Sequence, residues 1–213
     1  MPRKLVLVCL ATALVVGAAA GTAIALLGRT HTSAAATADS TAAATWPAGA
    51  RLSPAFALHD ANGRPLTLAS LRGRAAVVTF LDPLCRNLCP IEAQTLEHAL
   101  AALPVAERPA VVAVSVNVFG NARADLATAF HKWRVGPEWR WAIGSPAALA
   151  ATWQRYSIGV SVATRTIAGI TVHNVSHTEA AYVIDKSGHQ RALFVWPYDA
   201  AGVARELASL ARA

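Results

Sequence analysis

The sequence predicts an α/β domain, a central sheet flanked by helices, behind an N-terminal apolar span. Three observations lead there. Continuous apolar runs rich in Val, Thr and Phe at residues 75–81 and 110–116 have the pattern of strands buried on both faces. Between and after such runs, apolar residues recur at helical spacing: Leu96, Leu100 and Leu103; Leu126, Phe130 and Trp133; Leu149 and Trp153; Val203, Leu207 and Leu210. Two turn-rich stretches, residues 60–63 and 185–188, each lie between short apolar runs and read as hairpin loops.

Residues 5–27 form a run of 23 residues without a charge, preceded by Arg3 and Lys4 and followed by Arg29. As a helix it would measure roughly 35 Å, enough to cross a hydrocarbon core of about 30 Å. Residues 1–29 are therefore expected to be a single-pass membrane anchor. A cleaved signal peptide is the alternative, but its apolar region is usually only about 7–15 residues long. Arg3 and Lys4 hold the short end in the cytoplasm, so everything that follows is expected outside it, at the cell membrane. Cys9 is an apolar residue of this span. Residues 30–45 are almost entirely Ala, Thr and Ser, a composition that cannot bury a core and reads as a tether. The folded domain is expected over residues 46–213.

Within that domain, residues 56–58 and 65–68 flank the first turn as a hairpin. The 75–81 strand leads to Cys85 and Cys89, and Pro90 can take the first position of a helix that Pro104 ends. The 110–116 strand follows, then the helix through Trp133, a short strand at residues 139–143, and the helix with Leu149 and Trp153. Residues 180–184 and 191–195 form the second hairpin and Val203 opens the last helical face. Hairpin, three βα units, β-hairpin, α is a thioredoxin-like order. It puts the cysteines at the C-terminal end of a central strand, where open α/β sheets place their sites.

The net charge is +7, of which about +5 belongs to residues 46–213. The basic residues are scattered, so nucleic-acid binding has no support. Once Cys9 is set aside, two cysteines remain in an oxidising compartment. A disulfide closing so short a loop would stabilise by only about 2 kcal/mol on the chain-entropy view, which makes a plain staple a poor explanation. Thiols four residues apart at a strand-to-helix junction are instead placed for chemistry, because helix N-terminal N–H groups favour thiolate, both the nucleophile and the ligand form. A metal would need a third donor, and His177, just ahead of the 180–184 strand, is the candidate. His173 is its rival, sharing a face with it if that segment is extended.

On these residues the chain resembles the SCO/SenC family of membrane-anchored, thioredoxin-like copper proteins involved in assembling cytochrome c oxidase. The resemblance rests on Asp60-Ala61-Asn62-Gly63, on Cys85-Arg86-Asn87-Leu88-Cys89-Pro90, and on His177 before Tyr182-Val183-Ile184-Asp185-Lys186-Ser187-Gly188. It implies copper held by Cys85, Cys89 and His177, and a copper-accepting protein, a cytochrome c oxidase subunit, as partner. The chain differs from the family in two places. Val116-Asn117-Val118-Phe119-Gly120-Asn121-Ala122-Arg123 stands where an Asp-Pro-x-Arg-Asp-Thr segment is usual, and Ser176 stands where an acidic residue commonly precedes the histidine.

Two thiolates and an imidazole suit Cu(I) and admit Cu(II), and zinc accepts the same donors. The rival reading is a thiol-disulfide oxidoreductase that reduces the cysteines of a copper acceptor, with Cys85 and Cys89 as its redox pair, so enzyme activity stays open. Against it, thioredoxin-type enzymes resemble one another in having two residues between the cysteines and a proline before a late strand. Here three residues intervene, and no proline occurs between Pro146 and Pro197. Peroxide reduction has only Arg86 in its favour.

Overall fold

The structure is a computed structural model that describes residues 42–212; the expected membrane span and most of the tether lie outside them. Among the described residues no helix is long and apolar enough to cross a membrane. A six-stranded sheet forms the centre, in the order β1, β10, β9, β4, β5, β6. These are β1 (Ala44–Thr45), β4 (Ala76–Leu81), β5 (Ala110–Ser115), β6 (Trp139–Ala142), β9 (Ala180–Ile184) and β10 (Gln190–Val195). β4, β5 and β6 run parallel, and β9 pairs antiparallel with β4 on its other side. All six residues of β4 are buried, as a central strand covered on both faces requires.

The period of two along the strands divides the core. Val77 and Leu81 of β4, Val111 and Ala113 of β5, and Ala181 and Val183 of β9 face one layer. That layer is α1 (Leu88–Ala101), α2 (Arg123–Trp133) and α4 (Ala200–Ala211), through Leu96, Leu100, Leu126, Trp133, Val203 and Leu207. Their neighbours Ala76, Val78, Phe80, Val112, Val114 and Tyr182 face the other layer. There they meet α3 (Pro146–Arg155) and the hairpin of β2 (Ala57–His59) with β3 (Pro65–Thr67), through Leu58, Leu66 and Leu149. The thioredoxin-like α/β plan and both expected hairpins are present.

Two details differ from the sequence reading. α1 starts at Leu88 behind the N-cap Asn87, whose Oδ1 accepts the Leu88 N–H at 2.8 Å, so Pro90 is the third helical residue rather than the first. A proline fits there because first-turn N–H groups have no intrahelical acceptor. The second is a hairpin absent from the reading, β7 (Val160–Ile167) against β8 (Ile170–His177), paired only with itself among the described residues. Its two-residue turn, Ala168-Gly169, has φ of 49° and 80°, the left-handed pair that matches strand twist.

Among the described residues one ionisable side chain lies wholly inside. Glu92 of α1 is 0% exposed; its Oε1 accepts from Thr79 Oγ1 at 2.9 Å and from Tyr198 Oη at 3.0 Å, while Oε2 has no partner. Burial pushes its carboxyl up to about 8, against those two hydrogen bonds. Between the ordinary value of 4.5 and about 8 the folded chain thus holds a proton that the unfolded chain has released. Stability therefore falls as pH rises through that window. Glu92→Gln, which stays neutral, is expected to flatten this decline. Denaturant midpoints at pH 5 and pH 8 measure it, and an equal drop in both proteins would refute the assignment.

Candidate metal centre

The loop leaving β4 is folded back by its own backbone and by Asp82. The Cys85 N–H donates to the Asp82 carbonyl at 3.0 Å, and Asp82 Oδ1 accepts the Leu84 N–H at 2.8 Å. A buried Asn117 Nδ2 donates to the same oxygen at 2.9 Å. This turn brings the half-buried Cys85 over the start of α1, where the Cys89 N–H donates to its sulfur at 3.3 Å. Cys89, 1% exposed, is the second residue of α1.

The two thiols are electrostatically unequal. A hydrogen bond from the Cys89 side chain, reinforced by the N–H groups of Asn87, Cys89 and Leu88, holds Cys85 down at about 6 despite partial burial. The same hydrogen bond and burial push Cys89 up. The two shifts run in opposite directions, so Cys85 is the thiol that gives up its proton first and Cys89 the one that keeps it.

His177 is the last residue of β8, not a loop residue as its neighbourhood in the sequence implied. β9 runs antiparallel to β4, so the residues entering β9 lie beside those leaving β4. His177 Nε2 stands 3.7 Å from Cys89 Sγ. Its other nitrogen, Nδ1, is 3.1 Å from the Thr178 carbonyl, which can only accept. Nδ1 therefore carries the proton and Nε2 presents its lone pair to the cysteines. His173 lines the same cavity of about 500 Å3 as Cys85, Cys89 and His177. Its Nδ1, however, is engaged with Thr164 Oγ1 at 3.0 Å and its ring is stacked on Phe119.

Does this set fit a metal? With metal–sulfur and metal–nitrogen bonds of about 2.3 and 2.0 Å, a sulfur and a nitrogen on one tetrahedral or trigonal ion stand roughly 3.5–3.8 Å apart. The Cys89–His177 separation of 3.7 Å falls in that interval. Among the described residues no three His, Cys, Asp or Glu side chains stand close enough to form a finished metal cage. Cys89 and His177 stand at that separation, while Cys85, on the loop ahead of α1, does not close a three-residue set with them in this structure. The donors fit a soft ion, two sulfurs and an imidazole.

The SCO1/SenC family model matches residues 45–212. The chain belongs to the SCO1/SenC family. No curated protein matches it. Among solved structures it is similar to Bradyrhizobium japonicum ScoI with copper bound, at 21% identity and a TM-score of 0.64 over 75% of this chain and 99% of that one. Yeast Sco1 with copper bound gives 18% identity and a TM-score of 0.67 over 76% and 90%. BsSco, described as a Sco-family cytochrome c oxidase assembly protein with a disulfide switch, gives 13% and 0.60 over 80% and 98%. At these identities the likeness is one of fold.

The feature that the sequence did not reveal is the 117–120 turn under the cysteine loop, which lies where the chain differs from its family's usual segment. The signal available was the Asn117 and Gly120 pair itself, a capping residue and a residue without a side chain.

In the reduced, metal-free protein, Cys85 alkylation by iodoacetamide is expected to follow an apparent pKa near 6 rather than the ordinary 9.0. Cys89→Ala removes the largest cause and is expected to move that midpoint upward. Stopped-time labelling across pH 5–10 checks both, and an unchanged midpoint would remove the thiol–thiol hydrogen bond from the explanation.

Proposed function

We propose that this chain is a membrane-anchored, extracytoplasmic copper chaperone that carries one copper ion on Cys85, Cys89 and His177 and passes it to a cytochrome c oxidase subunit. The observation that carries the reading is the Cys89–His177 contact of 3.7 Å between residues 88 positions apart. The copper is cargo, and the ligand set suits that task. Three protein donors leave a position open for an incoming ligand of the receiver, so the ion need not become bare during transfer. The unequal thiols help at loading, since Cys85 is already a thiolate near neutral pH and only Cys89 must release a proton. The Thr178 carbonyl keeps the imidazole in the tautomer whose Nε2 can donate.

The second reading, reduction of an acceptor's disulfide, is favoured by the same inequality. Cys85 thiolate would attack one sulfur of the acceptor disulfide, forming a mixed disulfide and releasing one acceptor thiolate. Cys89, once deprotonated, would displace the second acceptor sulfur. The acceptor leaves with two thiols and this chain with a Cys85–Cys89 disulfide. Both cysteines are free in the structure, the form that either reading needs.

Metal analysis of the reduced full chain after anaerobic exposure to copper and zinc together is expected to return about one copper per chain and little zinc. Cys85→Ser, Cys89→Ser and His177→Ala are each expected to weaken Cu(I) binding by more than the roughly 10- to 100-fold typical of outer-shell changes. Equal retention of zinc, or wild-type affinity in His177→Ala, would overturn the chaperone assignment.

Oxidation to the Cys85–Cys89 disulfide is expected to abolish high-affinity Cu(I) uptake, because a disulfide offers no thiolate. Titration of oxidised and reduced samples reads this directly. Equal uptake by both forms would separate copper loading from thiol state.

A further inference from the structure

Cys85 stands on the loop after β4 and Cys89 in the first turn of α1 that follows it, whereas His177 stands on a hairpin that pairs with no other strand among the described residues. A two-stranded hairpin is marginal alone, so something must hold its face at a fixed distance from the cysteine loop. The 117–120 turn touches both. At the cysteine loop, Asn117 Nδ2 bonds Asp82 Oδ1 at 2.9 Å. Gly120 lies so close beneath that loop that a Cβ there would stand 2.8 Å from Leu84 Cγ and 2.9 Å from Pro83 Cγ. On the hairpin side, the Phe119 ring lies parallel to that of His173, centroids 3.6 Å apart and planes within 4°. His173 is tied across the ladder to Thr164 at 3.0 Å and stands four residues before His177, on the same side of β8. Between the two, Asn117 Oδ1 accepts the Phe119 N–H at 3.0 Å, fixing the ring's base.

We propose that this turn is a bridge that sets the spacing between the cysteine loop and the histidine strand, with Phe119 as its positioning residue. The inference rests on the metal centre proposed above. Phe119 is 50% exposed, so its ring is not a core contact whose loss would unfold the domain. Its value lies in where it holds β8. The bridge occupies the stretch in which the chain differs from its family's usual segment, so a flat apolar stack supplies the link here.

The test measures Cu(I) affinity of the reduced full chain against a colorimetric chelator. Phe119→Ala is expected to weaken binding about 10-fold, the size of an outer-shell loss. Phe119→Tyr and Phe119→Trp keep a flat ring and are expected to stay within about twofold of wild type, whereas Phe119→Leu, which keeps apolar bulk without a ring to stack, should follow Phe119→Ala. In a His177→Ala background, Phe119→Ala is expected to add nothing, because the bridge acts through that histidine. Wild-type affinity in Phe119→Ala, or the same 10-fold loss with and without His177, would overturn the bridge while leaving the metal centre standing. No loss in His177→Ala would sink the metal centre, and the bridge with it. Unfolding midpoints identify any variant that fails to fold, and Phe119→Leu then carries the comparison.

Discussion

The antiparallel pairing of β9 with β4 is the constraint on which the site depends. Ala76 faces Ile184 and Thr79 faces Ala181, so the start of β9 is bound to lie at the end of β4. Whatever precedes β9 meets whatever follows β4, and the chain has put His177 in the first place and the cysteine loop in the second. A parallel neighbour would carry that residue to the far end of the sheet. The two parallel strands, β5 and β6, sit on β4's other side and supply the 117–120 turn from the end of β5 instead.

Beneath the site the core is not wholly apolar. Thr79 faces the helical layer, where its hydroxyl meets both Glu92 and the Ala180 carbonyl. Its single hydrogen, donated toward Glu92 Oε1 at 2.9 Å and the Ala180 carbonyl at 3.1 Å, is divided between two acceptors, so an ionised Glu92 would be left short of donors. Burial pushes the carboxyl in the same direction. Strand β4, helix α1, the entry to β9 and Tyr198 are thereby tied together just below Cys89. The order is bought with a carboxyl that must stay neutral while a thiolate lies nearby.

Much of this was legible beforehand because apolar periodicity is a local property. The buried runs at 75–81 and 110–116, the helical faces of Leu96, Leu126 and Val203, and the two polar turns each follow from a few neighbouring residues. The hairpin β7–β8 was not legible for the converse reason. It buries little, so alternation along Val160–Ile167 does not separate an inner from an outer face, and its turn is Ala-Gly rather than the Asn-Gly that announces such hairpins. His177 was identified by its chemistry and by resemblance, whereas its seat at a strand end needed the tertiary pairing. The Phe119–His173 stack joins residues 54 positions apart in two segments without any shared pattern, and nothing local foretells it.

The unequal thiols explain why metal and redox chemistry are hard to disentangle at such a site. A hydrogen bond from Cys89 lowers Cys85, and the proton that makes the bond is the one a metal must displace or a mixed disulfide must spare. For exchange, a thiolate near neutrality beside a buried, proton-holding partner is an attacking and resolving pair. For metal binding, the same pair is half loaded. What separates the two uses is the third group. An imidazole with Nδ1 held on a carbonyl and Nε2 turned to Cys89 at 3.7 Å adds little to thiol exchange, which needs only sulfur and a proton acceptor. It adds a full donor to a soft ion. The residues just before β9, where a proline would stand in a thioredoxin-type enzyme, are His177, Thr178 and Glu179. An imidazole at that position, with Nε2 facing a sulfur, is the feature that favours metal carriage over thiol exchange in the function proposed above.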